Sequence, residues 1–139
     1  MSEPPADTTI QEGLVAYMAA NVSSAGTGYP IEVPQDASYP AWSYQVIDDN
    51  QVLAHNGATY FHMARIQIDI IALATSGLSA YANGQAIATA MRQKLDGYKG
   101  KMGTIPVDYC KTTLNDDWAE MHKLPAVHFD VMINYRLTS

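Results

Sequence analysis

Two segments of this chain, 64–72 and 127–136, alternate between apolar and polar side chains, and this pattern constrains the fold more than any other. Successive side chains of a β-strand point to opposite faces, so each segment predicts a strand with one apolar and one polar face. Such strands are typical of an antiparallel sheet that is covered on one side and open on the other. The side chains predicted on the open side are Arg65, Gln67, Asp69, His128, Asp130, Asn134 and Arg136.

The first helix predicted to cover the apolar side ends near Asn21. Asp7 or Thr8 is suited to cap its N-terminus, because a short side-chain oxygen can accept a hydrogen bond from a free backbone N–H of the first turn. Residues 1–7 are expected to form a loose leader before it. Apolar residues recur at every fourth position, at Ile10, Leu14 and Met18, so one face of this helix is apolar.

The second helix is predicted from about Leu78 to Leu95. Ser76 is the expected N-cap, and Gly97 is suited to the position directly after the helix because glycine tolerates a left-handed backbone. The side chains expected to form the buried stripe of this helix are Leu78, Tyr81, Ala88, Met91 and Leu95.

Further strands are predicted at 42–46 and, with weaker alternation, at 107–114. The segments 100–103 and 115–117 are interpreted as turns, and 118–121 as a short strand or a loop. The segment between 48 and 58 is either a hairpin extension or a mobile loop, and the long loop at 23–40 is either functional or a crossover around the sheet edge. Together these elements predict one α+β domain over residues 1–139, with a mostly antiparallel sheet of about four to five strands and two helices packed on one face.

The charge and hydropathy of the chain argue against several classes of partner. With 8 Lys and Arg against 14 Asp and Glu, the net charge is -6, which disfavours binding to nucleic-acid phosphates and to anionic membranes. The N-terminus lacks the basic start and apolar core of a signal peptide, and the strongest apolar run, 70–74, is too short to span a bilayer. We therefore expect a soluble protein made in a cytoplasm. The single cysteine, Cys110, is expected to be a small core residue.

Motifs for catalysis or metal binding are missing from the sequence. The four histidines and Cys110 lack the close spacing of a metal site, and there is no GxSxG sequence around a nucleophilic serine. Gly26-Thr27-Gly28 is only a fragment of a phosphate-binding loop and is interpreted as a flexible turn. Asp48-Asp49-Asn50 lacks the central glycine and the terminal glutamate of a calcium loop. We accordingly predict a protein without enzymatic activity, bound metal or cofactor.

Asp69 and Asp130 are the carboxylates expected to approach each other, if their strands are neighbours on the open face. Two converging carboxylates can act as acid and base, but Arg, Gln and Asn side chains share this face, so a hydrogen-bonded protein interface is favoured over an active site.

Among the large aromatic residues, Trp42 is expected in the core and Trp118 in a contact surface, since Trp commonly anchors interfaces.

Several stretches of the sequence share the order and spacing of one family. They are Tyr29-Pro30 with Pro34-Gln35, the strand YPAWSYQVI at 39–47, the strand ARIQIDI at 64–70, the helix end MRQKLDGYKG at 91–100, and the last strand at 127–135. In these stretches, which lie between about residues 10 and 136, the chain resembles the tail completion and tail terminator proteins of long-tailed bacteriophages.

The resemblance implies a subunit of a ring, usually a hexamer, that sits on the finished tail tube. Such a ring stops polymerisation of the tail tube protein and provides the docking surface for the head–tail connector protein, in the neck region of a virion assembled in the host cytoplasm. An acidic lumen would let DNA pass without binding, because like charges repel. The residues expected to form the subunit or tube interface are Arg65, Gln67, Asp69, Trp118, Asp130, Asn134 and Arg136.

Two alternatives remain open at this point. The first is a head–tail joining protein of the neck, which would occupy a different position in the same virion. The second belongs to another class, a small ligand-binding or enzymatic α+β domain, which would need a deep pocket with titratable groups of perturbed pKa.

Overall fold

The α+β fold predicted from the alternation is confirmed by a computed structural model, which describes residues 9–34, 36–54, 57–74, 77–114, 119–121 and 124–136. One mixed, mostly antiparallel sheet curls into a half-barrel, and two helices contact it. The helices are α1 (Ile10–Asn21) and α2 (Ala80–Leu95), and the strands are β1 (Thr27–Pro30), β2 (Ala41–Ala54), β3 (Gly57–Ile71), β4 (Gly100–Met102), β5 (Ile105–Leu114), β6 (Ala119–Met121) and β7 (Leu124–Arg136).

The order of strands across the sheet is β1-β2-β3-β7-β5-β4, and β6 pairs with β7 outside this path. Only the β1–β2 pair is parallel among the described strands. The sheet therefore has more strands than the four to five predicted. The additional strands include β1 and β4, which lie in segments interpreted as a loop and a turn, because short edge strands form by backbone pairing and leave little side-chain pattern.

Both helix N-caps lie at other residues than those predicted. The Thr9 side chain caps α1 by accepting a hydrogen bond from the backbone N–H of Glu12 at 3.2 Å. The N-cap of α2 is Ser79 and not Ser76, and its hydroxyl accepts from the N–H of Ala82 at 3.1 Å. The predicted ends are confirmed, since α1 ends at Asn21 and Gly97 follows α2 with a φ of 76°.

The later start of α2 changes its buried stripe. Leu78 precedes the helix and is 52% exposed, and Tyr81 in its first turn is 36% exposed, so both were wrongly predicted to be buried. The stripe that packs on the sheet consists of Gly84, Ile87, Ala88, Met91 and Leu95.

The main core lies between the helices and one face of the sheet. Ile66 and Ile68 of β3 and Phe129 of β7 are fully buried there with Leu14 of α1. Trp42 is 1% exposed and Cys110 is 0% exposed in the same core, which confirms both predictions. Gly13 permits the close packing of α1, because a Cβ at this position would lie 2.5 Å from the backbone oxygen of Met102 on β4.

The segment between β1 and β2 crosses the edge of the sheet and covers one end of its other face. Val33 is fully buried there in a smaller cluster with Ala41, Ile71 and Ala126. The crossover interpretation of the long loop is thus confirmed for the described residues. Thr27 and Gly28 lie in β1 rather than in a flexible turn.

Strands β2 and β3 form a hairpin extension, which was one of the two interpretations of segment 48–58. β2 continues through Asp48-Asp49-Asn50, with register shifts between Val46 and Asp48 and between Gln51 and Leu53. Among the described residues, pairing of β3 with β7 begins at Phe61, whereas pairing with β2 reaches Gly57. The end of the hairpin therefore extends beyond the described part of β7 as a two-stranded arm.

Candidate functional site

The open face of the sheet brings most of the predicted interface residues together. β3 and β7 are neighbours in antiparallel register, with Arg65 opposite Met132, Gln67 opposite Asp130, and Asp69 opposite His128. Because side chains alternate along each strand, all six side chains lie on the face opposite the helices. Trp118, which was predicted to join this surface, lies outside the described residues.

Arg65 and Asp130 form an ion pair across the two strands. The Nε of Arg65 donates to Oδ2 of Asp130 at 3.0 Å, and Nη2 donates to the same oxygen. The Arg65 side chain is 53% exposed, whereas that of Asp130 is 9% exposed. The guanidinium thus neutralises a buried carboxylate while remaining accessible to a partner.

Asp69 has a separate set of partners. Its Oδ1 lies 3.1 Å from Nδ1 of His128, and the amide nitrogen of Gln67 donates to both carboxylate oxygens at 3.4 Å. Burial raises the pKa of Asp69 above its ordinary value, opposed by the Gln67 and His128 contacts and reinforced by the charge of Asp130. The two carboxylates therefore lie on neighbouring strands as predicted, but each contacts its own basic partner.

Arg136 and Asn134 complete the predicted set with different contacts. The Nε of Arg136 lies 3.3 Å from Oδ1 of Asp108 on β5. The side-chain oxygen of Asn134 is buried and has no hydrogen-bond partner among the described residues. Around Asn134, the open face changes from polar to apolar.

Four apolar or aromatic side chains form this second part of the open face, which we call the apolar patch. Met63 and Tyr109 lie on the two sides of Asn134, on β3 and β5 respectively. The exposed fractions are 48% for Phe61, 41% for Met63, 47% for Tyr109 and 36% for Met132. This patch was not predicted from the sequence, although Met63 and Met132 occupy polar positions of the alternation and so provided a signal.

A second polar cluster lies at the base of the hairpin arm, on the helix side of the sheet. The hydroxyl of Tyr135 donates to Oδ2 of Asp49 at 2.6 Å, and Nδ1 of His62 lies 3.6 Å from the other oxygen. The rings of His62 and Tyr135 stack with centroids 5.1 Å apart. Burial and the Asp49 carboxylate raise the pKa of Tyr135, so its phenol stays a hydrogen-bond donor and joins β7 to the hairpin.

An apolar cavity of about 510 Å³ lies at the opposite end of β3, next to the first half of α2. Its volume is in the range of small-molecule sites. The lining residues are Ser24, Tyr39, Pro40, Ala72, Leu73, Ala74, Asn83, Ala86 and Ile87. None of these residues carries a charge, and Asn83 uses its amide to donate to the backbone oxygen of Leu73 at 2.8 Å.

The metal-ligating side chains and the cysteine offer less support for a functional site than the open face does. In the parts of the chain that the structure describes, no group of three or more His, Cys, Asp or Glu side chains is placed to hold a metal ion; His55 and His122 lie outside these parts. Burial, and secondarily Asp96, raises the pKa of the Cys110 thiol to about 12, so this thiol is protonated at neutral pH. Neither described helix is long and apolar enough to cross a membrane.

A comparison of the chain with models of known protein families gives no match, and a comparison with curated protein sequences gives none either.

Proposed function

We propose that this chain is a structural subunit of a bacteriophage tail. Copies of it form a ring that caps the tail tube and ends tube polymerisation, and the ring provides the docking surface for the head–tail connector. The observation that supports this proposal best is the open face of the sheet, where a row of paired charges adjoins an exposed apolar patch.

The paired charges suit a protein interface better than an active site. Arg65 neutralises Asp130, and His128 with Gln67 contacts Asp69, so the carboxylates are held by protein partners in the isolated chain. Partly exposed ion pairs contribute little to affinity but fix orientation, because a misplaced partner meets like charges. The neighbouring apolar side chains supply the area whose burial stabilises association.

Two further features support assembly with other chains. The hairpin arm extends beyond the described part of β7, and an isolated two-stranded hairpin is marginally stable in water, so contact with a neighbouring molecule would stabilise it. The acidic net charge of -6 is compatible with DNA passing through a ring without binding.

The cavity beside α2 is the observation that favours the alternative of a ligand-binding domain. Its described lining is mainly aliphatic, with the hydroxyls of Ser24 and Tyr39 and the amide of Asn83, and it includes no carboxylate, imidazole, thiol or cationic group. Acid–base catalysis most often uses an imidazole, a carboxylate or an amine within hydrogen-bond reach of the substrate. The cavity therefore supports apolar contacts with a partner better than a reaction.

Negative-stain microscopy and sedimentation of the purified protein test the proposal. We expect the wild-type chain to form closed rings, and Asp69→Lys to abolish them, because the new cation would lie beside Arg65 and His128 in the contact. Asp36→Lys, which makes the same charge change at an exposed position, is the control and should leave rings intact. A wild-type chain that stays monomeric at every concentration would contradict the proposal.

A further inference from the structure

The charges of this chain are distributed unevenly across the sheet. Residues 22–54, which include β1 and β2, contain four carboxylates and no Lys or Arg. Residues 92–111, which run from the last turns of α2 into β5, contain five of the eight Lys and Arg but only two carboxylates. Because β2 and β5 lie on opposite sides of the central strands β3 and β7, one edge of the sheet is acidic and the other is basic.

Asp48 on β2 and Lys111 on β5 lie at the same level along the strands. Asp48 is opposite Arg65 in the register, Arg65 is opposite Met132, and Met132 is opposite Lys111. Side chains of such a row share one face of the sheet, here the open face, and both Asp48 and Lys111 are exposed. Three strand spacings of about 4.8 Å each separate them, and neither forms an ion pair with a described residue.

The backbone of β5 next to Lys111 already has partners on its outer side. The N–H of Gly97 donates to the backbone oxygen of Cys110 at 2.8 Å, and the carboxylate of Asp96 accepts from the N–H of Thr112 at 2.7 Å. A strand of another molecule therefore cannot pair with this stretch of β5. A contact at this edge has to use side chains, and the exposed side chain available there, Lys111, is a cation.

We propose that the β2 edge of one subunit docks against the β5 edge of the next copy, with Asp48 and Lys111 forming an ion pair across the seam. This inference rests on the proposed ring function and names the surfaces that meet. A second copy is the occupant that fits both edges, because each copy supplies the charge that the other edge lacks. A polyanion such as DNA would fit the basic edge but would leave the acidic edge uncovered.

The shared level of the two residues suits a closed ring. The contact is heterologous, because one edge meets a different one, and such contacts close into a ring when the rotation per subunit allows it and otherwise continue as a filament. Closure requires a rotation without a rise along its axis. Since Asp48 and Lys111 belong to one row of the register, their pairing around an axis along the strands requires no rise.

A charge swap tests the seam. Asp48→Lys and Lys111→Glu each place like charges against each other at every contact, and each should raise the Kd of the subunit contact on the order of tenfold, measured by sedimentation. The double variant Asp48→Lys/Lys111→Glu should restore association, because both charges are exchanged. Lys94→Glu, at an exposed position of α2 on the covered side of the sheet, is the control and should leave association unchanged.

Mixing and salt provide two further readouts. At a concentration where neither single variant assembles alone, an equal mixture of the two should assemble, because each supplies the charge that the other lacks. Raising the salt concentration from about 0.1 to about 1 M should weaken the wild-type contact, because the Debye length falls from about 10 to about 3 Å.

Rings that both single variants leave intact would overturn this seam, while the ring proposal would stand with another contact. Loss of rings in Lys111→Glu that Asp48→Lys does not restore would also overturn the seam, and would assign Lys111 to an anionic partner other than this edge. A wild-type chain that forms no rings would overturn both proposals.

Discussion

Arg65 and Asp130 are joined diagonally across two neighbouring strands. Met132 and not Asp130 lies opposite Arg65 in the register, yet both the Nε and the Nη2 of Arg65 donate to Oδ2 of Asp130. This geometry directs the guanidinium along the open face, from the edge of the apolar patch towards the polar row. The ion pair thus connects the two parts of the proposed interface.

Arg65→Met should lower the free energy of unfolding by about 1 kcal/mol, because the buried carboxylate of Asp130 loses a charged donor while the exposed half of Arg65 is screened by water. Urea denaturation measures this loss. In the double variant Arg65→Met/Asp130→Asn, the loss should be smaller than the sum of the two single losses. Strict additivity of the single variants would show that the pair does not contribute to stability.

Asp69→Asn should stabilise the fold at neutral pH. Burial is the chief cause that raises the pKa of Asp69 in the folded state. The ionised carboxyl therefore destabilises the fold at pH values above that pKa. This destabilisation disappears as the pH falls through the pKa of the folded state and then that of the unfolded state. The stability gained by the variant should therefore shrink on acidification, as measured by urea unfolding between about pH 3 and 7. Asp36→Asn is the exposed control; an advantage for Asp69→Asn that grew with acidity would contradict the assignment.

Tyr135→Phe should loosen the base of the hairpin arm. The variant removes the hydroxyl that donates to Asp49 at 2.6 Å, at an expected cost of about 1 kcal/mol. Hydrogen exchange should show faster exchange of the β2 and β3 amides near Asp49 and His62, with the amides at the other end of the sheet unchanged. Tyr109→Phe, at an exposed position, should have no effect; equal effects of the two substitutions would exclude the anchoring role of Tyr135.

Gly13→Ala should destabilise the protein although alanine favours helix by up to about 1 kcal/mol. The added Cβ would lie 2.5 Å from the backbone oxygen of Met102, and backbone cannot shift as easily as a side-chain end. Thermal unfolding should show a lower Tm than the wild type. Gly84→Ala is the matched comparison, since its Cβ would meet a methyl group of Val127 at 3.0 Å, and its loss should be smaller.

The sequence predicted what depends on side-chain alternation. The strands around Ile68 and Phe129, their apolar face and the shared face of Asp69 and Asp130 follow from a two-residue period, and the structure confirms them. The N-cap of α2 was wrong because Ser76 and Ser79 both suit a cap and local sequence does not decide between them.

The features that the sequence did not predict depend on register. Whether Met63 and Tyr109 both lie beside Asn134 is determined by how β3, β7 and β5 align, and alternation within one strand contains no information on that alignment. The cluster of Asp49, His62 and Tyr135 likewise requires β2 to continue past a register shift. The sequence alone therefore left segment 48–58 open between a hairpin extension and a mobile loop.

The length of tail tubes assembled with and without this protein tests the proposed function most directly. Electron microscopy of particles formed without the chain should show tubes of unregulated length that lack heads, and supplying the wild-type chain should restore a single length. Tubes of normal length that fail to attach to heads would instead indicate a joining protein. Complete particles of normal length formed without the chain would contradict the proposed role in the tail.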